Sequence, residues 1–240
     1  MGILCASDEE LAPFLPMLKD RQERRTAKLT VHLGTLAGVE TAALFSGICK
    51  VNAAIGTQIL LDTFQAEVLL LSGTAGGIDP ELEILDTVLS TEAVYHDVAG
   101  AILTGSPPWL ERPVFPADAN LLALSKAAVD RIRPPGRVFW GRMATGEAFV
   151  DGQRRQRLQE RLHPLCADME TAAAAHVCHA FGVPYLAIRT ITDTARHGGE
   201  ETFEKNVPAA SALAASLTAA VVQALGITGE PAQKRSAETV

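Results

Sequence analysis

Several familiar signatures are missing from this 240-residue chain. Lys and Arg are scattered, apart from a short cluster at Arg21, Arg24 and Arg25, and the formal net charge is −7. Without a phosphate-tracking basic face, nucleic acid is not an expected partner. No CxxC pair and no Cys/His ligand spacing links Cys5, Cys49, Cys166 and Cys178, which stand far apart in apolar company. They read as buried thiols in a reducing compartment. His176 and His179 share a helix face, yet no third ligand stands near them in sequence, so a packing or surface role is expected. Neither a metal nor a cofactor is called for. No leader-like segment opens the sequence and no apolar run reaches membrane-spanning length, which makes a membrane an unexpected partner and the cytoplasm the expected location. GxGxxG, GxxxxGK[ST] and GxSxG are all absent, excluding the dinucleotide, P-loop and serine-elbow readings that depend on them.

What is present suits one large domain. Hydrophobic residues make up 48% of the chain, enough for a sizeable core. No repeat or linker divides residues 1–227, and the polar stretch 228–240, with Gly229 and Pro231, reads as a frayed tail. Short apolar runs at 1–6, 28–33, 41–45, 68–71, 137–140 and 185–191, and an alternating stretch over 86–94, predict strands. Helical spacing appears over 50–64, 120–131, 171–181 and 208–225, the third of these closed by Gly182 and Pro184. Residues 105–116, with four prolines and Trp109, read as a loop long enough to serve a function. The expected architecture is a single α/β domain with a central mixed β-sheet flanked by helices.

Ligands of such sheets gather at the carboxyl ends of strands. Following the predicted strands in turn come Asp8-Glu9-Glu10, the turn "SGTAGG" at 72–77, Tyr95-His96-Asp97, Thr145-Gly146-Glu147-Ala148-Phe149, and Thr192-Asp193-Thr194. A further pair, Asp168 and Glu170, precedes the Ala-rich helix of "CADMETAAAAHV". Each acid alone could be a helix cap, and "SGTAGG" alone a tight turn. Together they suggest a polar pocket whose chemistry is acid–base work by carboxylates. Two such groups can cleave a glycosidic bond, one protonating the leaving group and the other activating water. A third can accept from the vicinal hydroxyls of a ribose.

The segments "GILCASDEEL", "SGICKVNAA", "LLSGTAGGI", "EAVYHD", "TGEAFV", "ADMETAAAAHVCHAFGVPYLAIRTITDTA" and "TFE" resemble the nucleoside phosphorylase/hydrolase superfamily, and within it the 5′-methylthioadenosine/S-adenosylhomocysteine nucleosidases. The likeness runs in order from about residue 2 to residue 225. It implies that Glu10 activates water and that Asp193 protonates the purine at N7 and holds its exocyclic amino group. It implies that Met169 and Glu170 hold the ribose, and that Phe149 and Val150 stack on and read the base. Thr74, Ala75 and Gly76 then lie beside sugar and base. Ser7, Ile48, Pro113 and Phe203 surround the 5′ substituent, partly across the two-fold contact of a homodimer. The alanines would let the helix pack close to the sheet. Asp168 stands where the family usually has Glu. In typical members "YHD" runs into an acid-Val-Thr-Ala-Phe-Gly-Tyr segment that shapes the 5′ pocket; here "VAGAILTGSPPWLERPVF" follows.

The expected substrate is thus a 5′-substituted adenosine. Three carboxylates in "ASDEE" repel a phosphate dianion, which favours hydrolysis over phosphorolysis. The changed segment after Asp97 keeps a futalosine-type hydrolase as an alternative. A purine nucleoside phosphorylase and a non-catalytic nucleoside-binding protein are weaker ones.

Overall fold

The structure, a computed structural model, describes residues 1–107 and 109–228. In chain order the elements are β1 (Gly2–Cys5), α1 (Asp8–Leu11), β2 (Lys19–Thr26), β3 (Leu29–Leu36), β4 (Val39–Phe45) and α2 (Lys50–Gln58). A π-helical turn over Ile59–Thr63 continues α2. Then come β5 (Leu69–Gly77), β6 (Thr87–Tyr95), α3 (Gly100–Gly105), β7 (Phe115–Pro116), α4 (Ala119–Ile132), β8 (Val138–Thr145) and α5 (Gly152–Leu162). The chain continues with β9 (Cys166–Asp168), α6 (Thr171–Phe181), β10 (Tyr185–Asp193) and α7 (Glu200–Thr228).

The strands form one mixed sheet, as expected. β5 is its hub: β10 runs parallel along one side, while β1 pairs with residues 69–71 and β9 with residues 76–77 on the other. β10 pairs antiparallel with β6, β6 parallel with β8, and β8 parallel with β9, so the pairing closes on itself from β5 back to β5. β1, β4, β3 and β2 extend outward from this ring. β1, β5 and β10 are buried throughout or nearly so, as the continuous apolar runs of parallel strands require. α2 and α6 pack on each other with the small residues Ala53 and Ala172–Ala175 in the core, while α4 and α7 cover the other apolar cluster.

Several expectations are corrected. "SGTAGG" is no turn but the second half of β5, extended because both its neighbours supply backbone partners there. The strand expected over 137–140 runs on to Thr145. β2 is an exposed strand of sequence KDRQERRT, without the apolar alternation that identifies strands, and its partner β3 supplies the ladder. α5, rich in Arg and Gln, buries only Arg155 and Leu158, too few apolar positions for a periodic signal. Of the segment 105–116 expected as loop, Gly105 ends α3 and Phe115–Pro116 form β7, which pairs with β6. α7 starts at Glu200 and carries Pro208 inside it, a residue that sequence rules use to start a helix. The helix segment Glu200–Gly226 does have the length and composition of a membrane span, contrary to expectation, but half of its apolar 18-residue window is buried in the fold and α7 packs against β5, β10 and α4. Of the tail expected from residue 228, only Thr228 falls within the described residues.

Candidate active site

Glu10 ends up buried because two local devices aim it inward. Ser7 is the N-cap of α1, and the pair forms a reciprocal capping box. The Glu10 Oε2 accepts from the N–H groups of Ala6 (2.7 Å) and Ser7 (3.4 Å), and Oε1 from the Thr74 N–H (2.7 Å) and hydroxyl (2.9 Å). A Cβ on Gly73 would fall 2.4 Å from the Glu10 carboxyl carbon, so only glycine lets β5 pass this close. The carboxylate therefore joins the carboxyl end of β1 to the middle of β5.

The pair in "CADMET" divides its labour. Asp168, at the end of β9, accepts from the Thr145 hydroxyl (2.6 Å), the Glu170 N–H (3.4 Å) and the Thr171 N–H (3.2 Å) through Oδ1, and from the Thr171 hydroxyl through Oδ2. It satisfies the first turn of α6, which is the capping role. Glu170 occupies the N-cap position of α6 but makes no side-chain cap bond. Its Oε1 instead accepts from the Cys49 N–H at the start of α2 (3.0 Å), and Oε2 from the Met169 N–H (3.3 Å). Cys49 holds φ at 84° to make this contact, a strained backbone for a non-glycine residue. Burial pushes the Glu170 carboxyl up; Arg189 opposes this, Asp168 and Glu10 add to it, and the result is about 7.

Arg189, on β10, was not singled out from the sequence. Its side chain is 2% exposed and pairs with Asp168 (Nε, 2.9 Å) and Glu170 (Nη2, 3.4 Å). Nη1 lies 3.9 Å from the Glu10 carboxylate and has no hydrogen-bond partner among the described residues. Burial works against its charge, but the three carboxylates outweigh burial and hold its pKa above the ordinary value. The available signal was a cation in the middle of a stretch expected to be a buried strand, YLAIRTI, which must be paired if it is buried.

Asp193 closes β10 and is fully buried. Its Oδ1 accepts from the Thr192 hydroxyl (3.0 Å), and its Oδ2 meets Arg155 Nη2 at 2.5 Å. Thr192 also donates to the Ala75 carbonyl (3.3 Å), which ties β10 to β5 beside Gly76. Phe149 is exposed and stands edge-on to Phe203, ring centroids 6.2 Å apart, while Val150 gives its carbonyl to Arg155. Lys50, at the start of α2, binds Asp97 (2.9 Å) and lies near Glu147 (3.9 Å). Ile48 is 55% exposed beside Cys49. Pro113 is exposed against Gly100, and the bonds and ring contacts of the described residues do not join it to the carboxylates. His176 stacks on Phe115 and contacts the Tyr95 hydroxyl, in keeping with a packing role.

A closed mixed sheet with buried carboxylates at the ends of its parallel strands defines the class. The chain belongs to the phosphorylase superfamily, whose family model matches residues 1–225. Within that superfamily it is a member of the 5′-methylthioadenosine/S-adenosylhomocysteine nucleosidase family. It is 35% identical over 232 residues to the nucleosidase of that name from Halalkalibacterium halodurans, covering 94% of this chain and 99% of the relative. Its fold is similar to that of the Neisseria meningitidis nucleosidase in complex with methylthio-immucillin-A (TM-score 0.85, 27% identity, 92% and 97% of the two chains covered). It is also similar to futalosine hydrolase from Helicobacter pylori (TM-score 0.84, 26% identity, 92% and 96% covered).

Proposed function

We propose that this chain hydrolyses the N-glycosidic bond of 5′-substituted adenosines such as 5′-methylthioadenosine and S-adenosylhomocysteine, releasing adenine and the 5′-substituted ribose. The observation that carries this reading is the set of buried carboxylates, Glu10, Glu170 and Asp193, supplied by α1, the start of α6 and the end of β10. Glu10 takes a proton from water as that water adds to the anomeric carbon, and the free Nη1 of Arg189 supplies a donor to hold the water beside Glu10. Glu170 accepts from the ribose hydroxyls and stabilises the positive charge that builds on the ring. Asp193 takes up a proton when the substrate binds and gives it to the departing purine, and Arg155 then holds the carboxylate left behind. Phe149, Val150, Met169, Thr74, Ala75 and Gly76 complete the pocket for base and sugar, and Ser7, Ile48, Phe203 and Pro113 the pocket for the 5′ group.

Phosphate is not the nucleophile in this scheme. Each cation described above is already matched by carboxylates: Arg189 by Asp168 and Glu170, with Glu10 close by; Arg155 by Asp193; Lys50 by Asp97 and Glu147. A phosphate dianion would meet net negative charge. Adenine release is therefore expected to proceed at the same rate in phosphate-free buffer. A strict phosphate requirement, with ribose 1-phosphate as product, would make the protein a phosphorylase instead.

The working unit in this reading is a homodimer in the cytoplasm. Ile48, Val51, Ile55, Ile102 and Trp109 are all 44–69% exposed, the first three at i, i+3, i+7 spacing at the start of α2, and exposed apolar side chains gathered on one face mark interaction surfaces. Ile48 stands beside Cys49, whose N–H donates to Glu170, so a two-fold contact there would complete the 5′ pocket. Sedimentation at micromolar concentration is expected to give twice the mass of the chain, and a fully active monomer would refute the dimer.

A further inference from the structure

α5 carries four arginines within eight residues, and only Arg155 has a carboxylate partner, the buried Asp193. Arg154, Arg157 and Arg161 stand at i, i+3 and i+7 on one face of the helix, spread over about 10 Å along its axis. None of these three is in an ion pair among the described residues. The Arg161 guanidinium donates to the His96 carbonyl, and the side chains of Arg154 and Arg157 make no bond to any described residue. Neighbouring carboxylates are engaged elsewhere. Asp97, next to His96, is held by Lys50 and the Glu147 N–H, and Glu160, on the same helix, accepts from Gln156. In a chain of net charge −7 this face is a local excess of positive charge.

The same three arginines line a cavity of about 360 Å³, a volume that suits one small molecule. Its other walls are His96, Ala148, Phe149, Val150 and Leu158. Burial lowers the His96 pKa, so its ring adds an uncharged wall at neutral pH. Glu10, Glu170 and Asp193 do not line the cavity, so a phosphate group held there stands apart from the hydrolytic carboxylates. A row of cations beside an apolar wall fits a particular kind of anion. Each guanidinium can take phosphate oxygens in pairs through its planar fork. Three forks over about 10 Å are more than one phosphate can use, and they match a chain of two or three. The half-exposed ring of Phe149 offers a surface to a planar base. We propose that Arg154, Arg157 and Arg161, together with Phe149, form a binding site for a nucleoside di- or triphosphate. Phe149 and Val150 are common to this site and to the substrate pocket; the three arginines belong to this site alone. The proposal does not depend on the nucleosidase reading.

Calorimetry of the full chain with ATP, AMP and inorganic triphosphate, free of divalent cations, tests this. ATP is expected to bind at least about 10-fold more tightly than AMP, which lacks the phosphates that reach the further arginines. It is also expected to bind more tightly than inorganic triphosphate, which has no base to lay on Phe149. Arg154→Gln/Arg157→Gln is expected to weaken ATP by about 10- to 100-fold, the range for lost charge-assisted hydrogen bonds. Its melting temperature and its kcat/KM for 5′-methylthioadenosine without ATP are expected to stay at the parent values, because neither side chain holds another part of the fold. Arg24→Gln/Arg25→Gln removes the same charge from the basic cluster on β2, and is expected to leave ATP affinity within about 2-fold, since distant exposed charges are screened. ATP is expected to bind as well when adenine is saturating. Four results overturn the proposal. They are no binding of ATP to the unmodified protein, AMP binding as tightly as ATP, equal losses in the two double variants, and displacement of ATP by adenine. The third would mean general attraction to positive charge, and the fourth would put ATP in the substrate pocket.

Discussion

Asp193→Asn is expected to lower turnover of 5′-methylthioadenosine by at least ~10²-fold, the lower range for a lost general acid. Asn keeps the shape of the side chain but has no transferable carboxyl proton, so the purine must depart as a poor anionic leaving group. The surroundings of Asp193 add a second expected effect. Its Oδ2 is the counter-ion of Arg155, and both groups are buried. Removing one partner of a buried ion pair typically destabilises by ~3–5 kcal/mol, so the melting temperature falls as well. The two effects separate in the double variant Arg155→Gln/Asp193→Asn, which removes both charges. Stability is expected to recover there while turnover stays low. Near-normal turnover in Asp193→Asn would take Asp193 out of the mechanism and shift the acid role to Glu147, which lies at the same edge but is 44% exposed.

The strands that carry chemistry were legible because they are buried on both faces. β1, the first half of β5 and most of β10 show as apolar runs and β6 as an alternating stretch, and acids directly after a strand mark a carboxyl end. Glu10 and Asp193 fall in groups marked in this way, while the choice among those acids, and the role of Glu170 at the start of the Ala-rich helix, came from the family resemblance. Elements whose stability comes from neighbours rather than from their own pattern were not legible. β2 is held by its ladder with β3, the three residues of β9 by β5 and β8, and α5 by little more than Arg155 and Leu158. The two arginines of the site were missed for related reasons. Arg189 hides in an apolar strand, and Arg155 sits among four other Arg and Gln residues in "QRRQR", where only the fold shows which one turns inward. Sequence could not decide between capping and chemistry for Asp168 and Glu170 either, because both acids sit at a helix start. The decision depends on partners distant in sequence: Thr145 and Arg189 for Asp168, Cys49 and Arg189 for Glu170.

Glu170→Gln tests that division. Gln keeps the size but offers a neutral group with one good acceptor oxygen, and charge-assisted bonds are roughly twice as strong as neutral ones. The carboxylate also acts on positive charge that exists mainly in the transition state. A loss of kcat/KM of at least ~10²-fold is expected, the scale on which single groups that stabilise transition-state charge act. The pH dependence should distinguish clamp from cap. Burial holds the Glu170 carboxyl at about 7 in the folded protein, so the kcat/KM profile of the parent should fall below about pH 7 as the clamp takes up a proton, and the variant should lack that limb. Stability runs the other way. Between the unperturbed value of 4.5 and about 7 the folded protein retains a proton that the unfolded chain has released, so this residue's contribution to stability declines as pH rises through that window. The variant, which cannot ionise, should therefore melt at or above the parent temperature at pH 8, with the difference shrinking toward pH 4.5. A 2′-deoxy substrate should be slow with the parent and little slower with Glu170→Gln, because the clamped hydroxyl is absent. Equal losses on ribo- and 2′-deoxy substrates, together with a lowered melting temperature at pH 8, would show that Glu170 supports the start of α6 and does not hold the sugar.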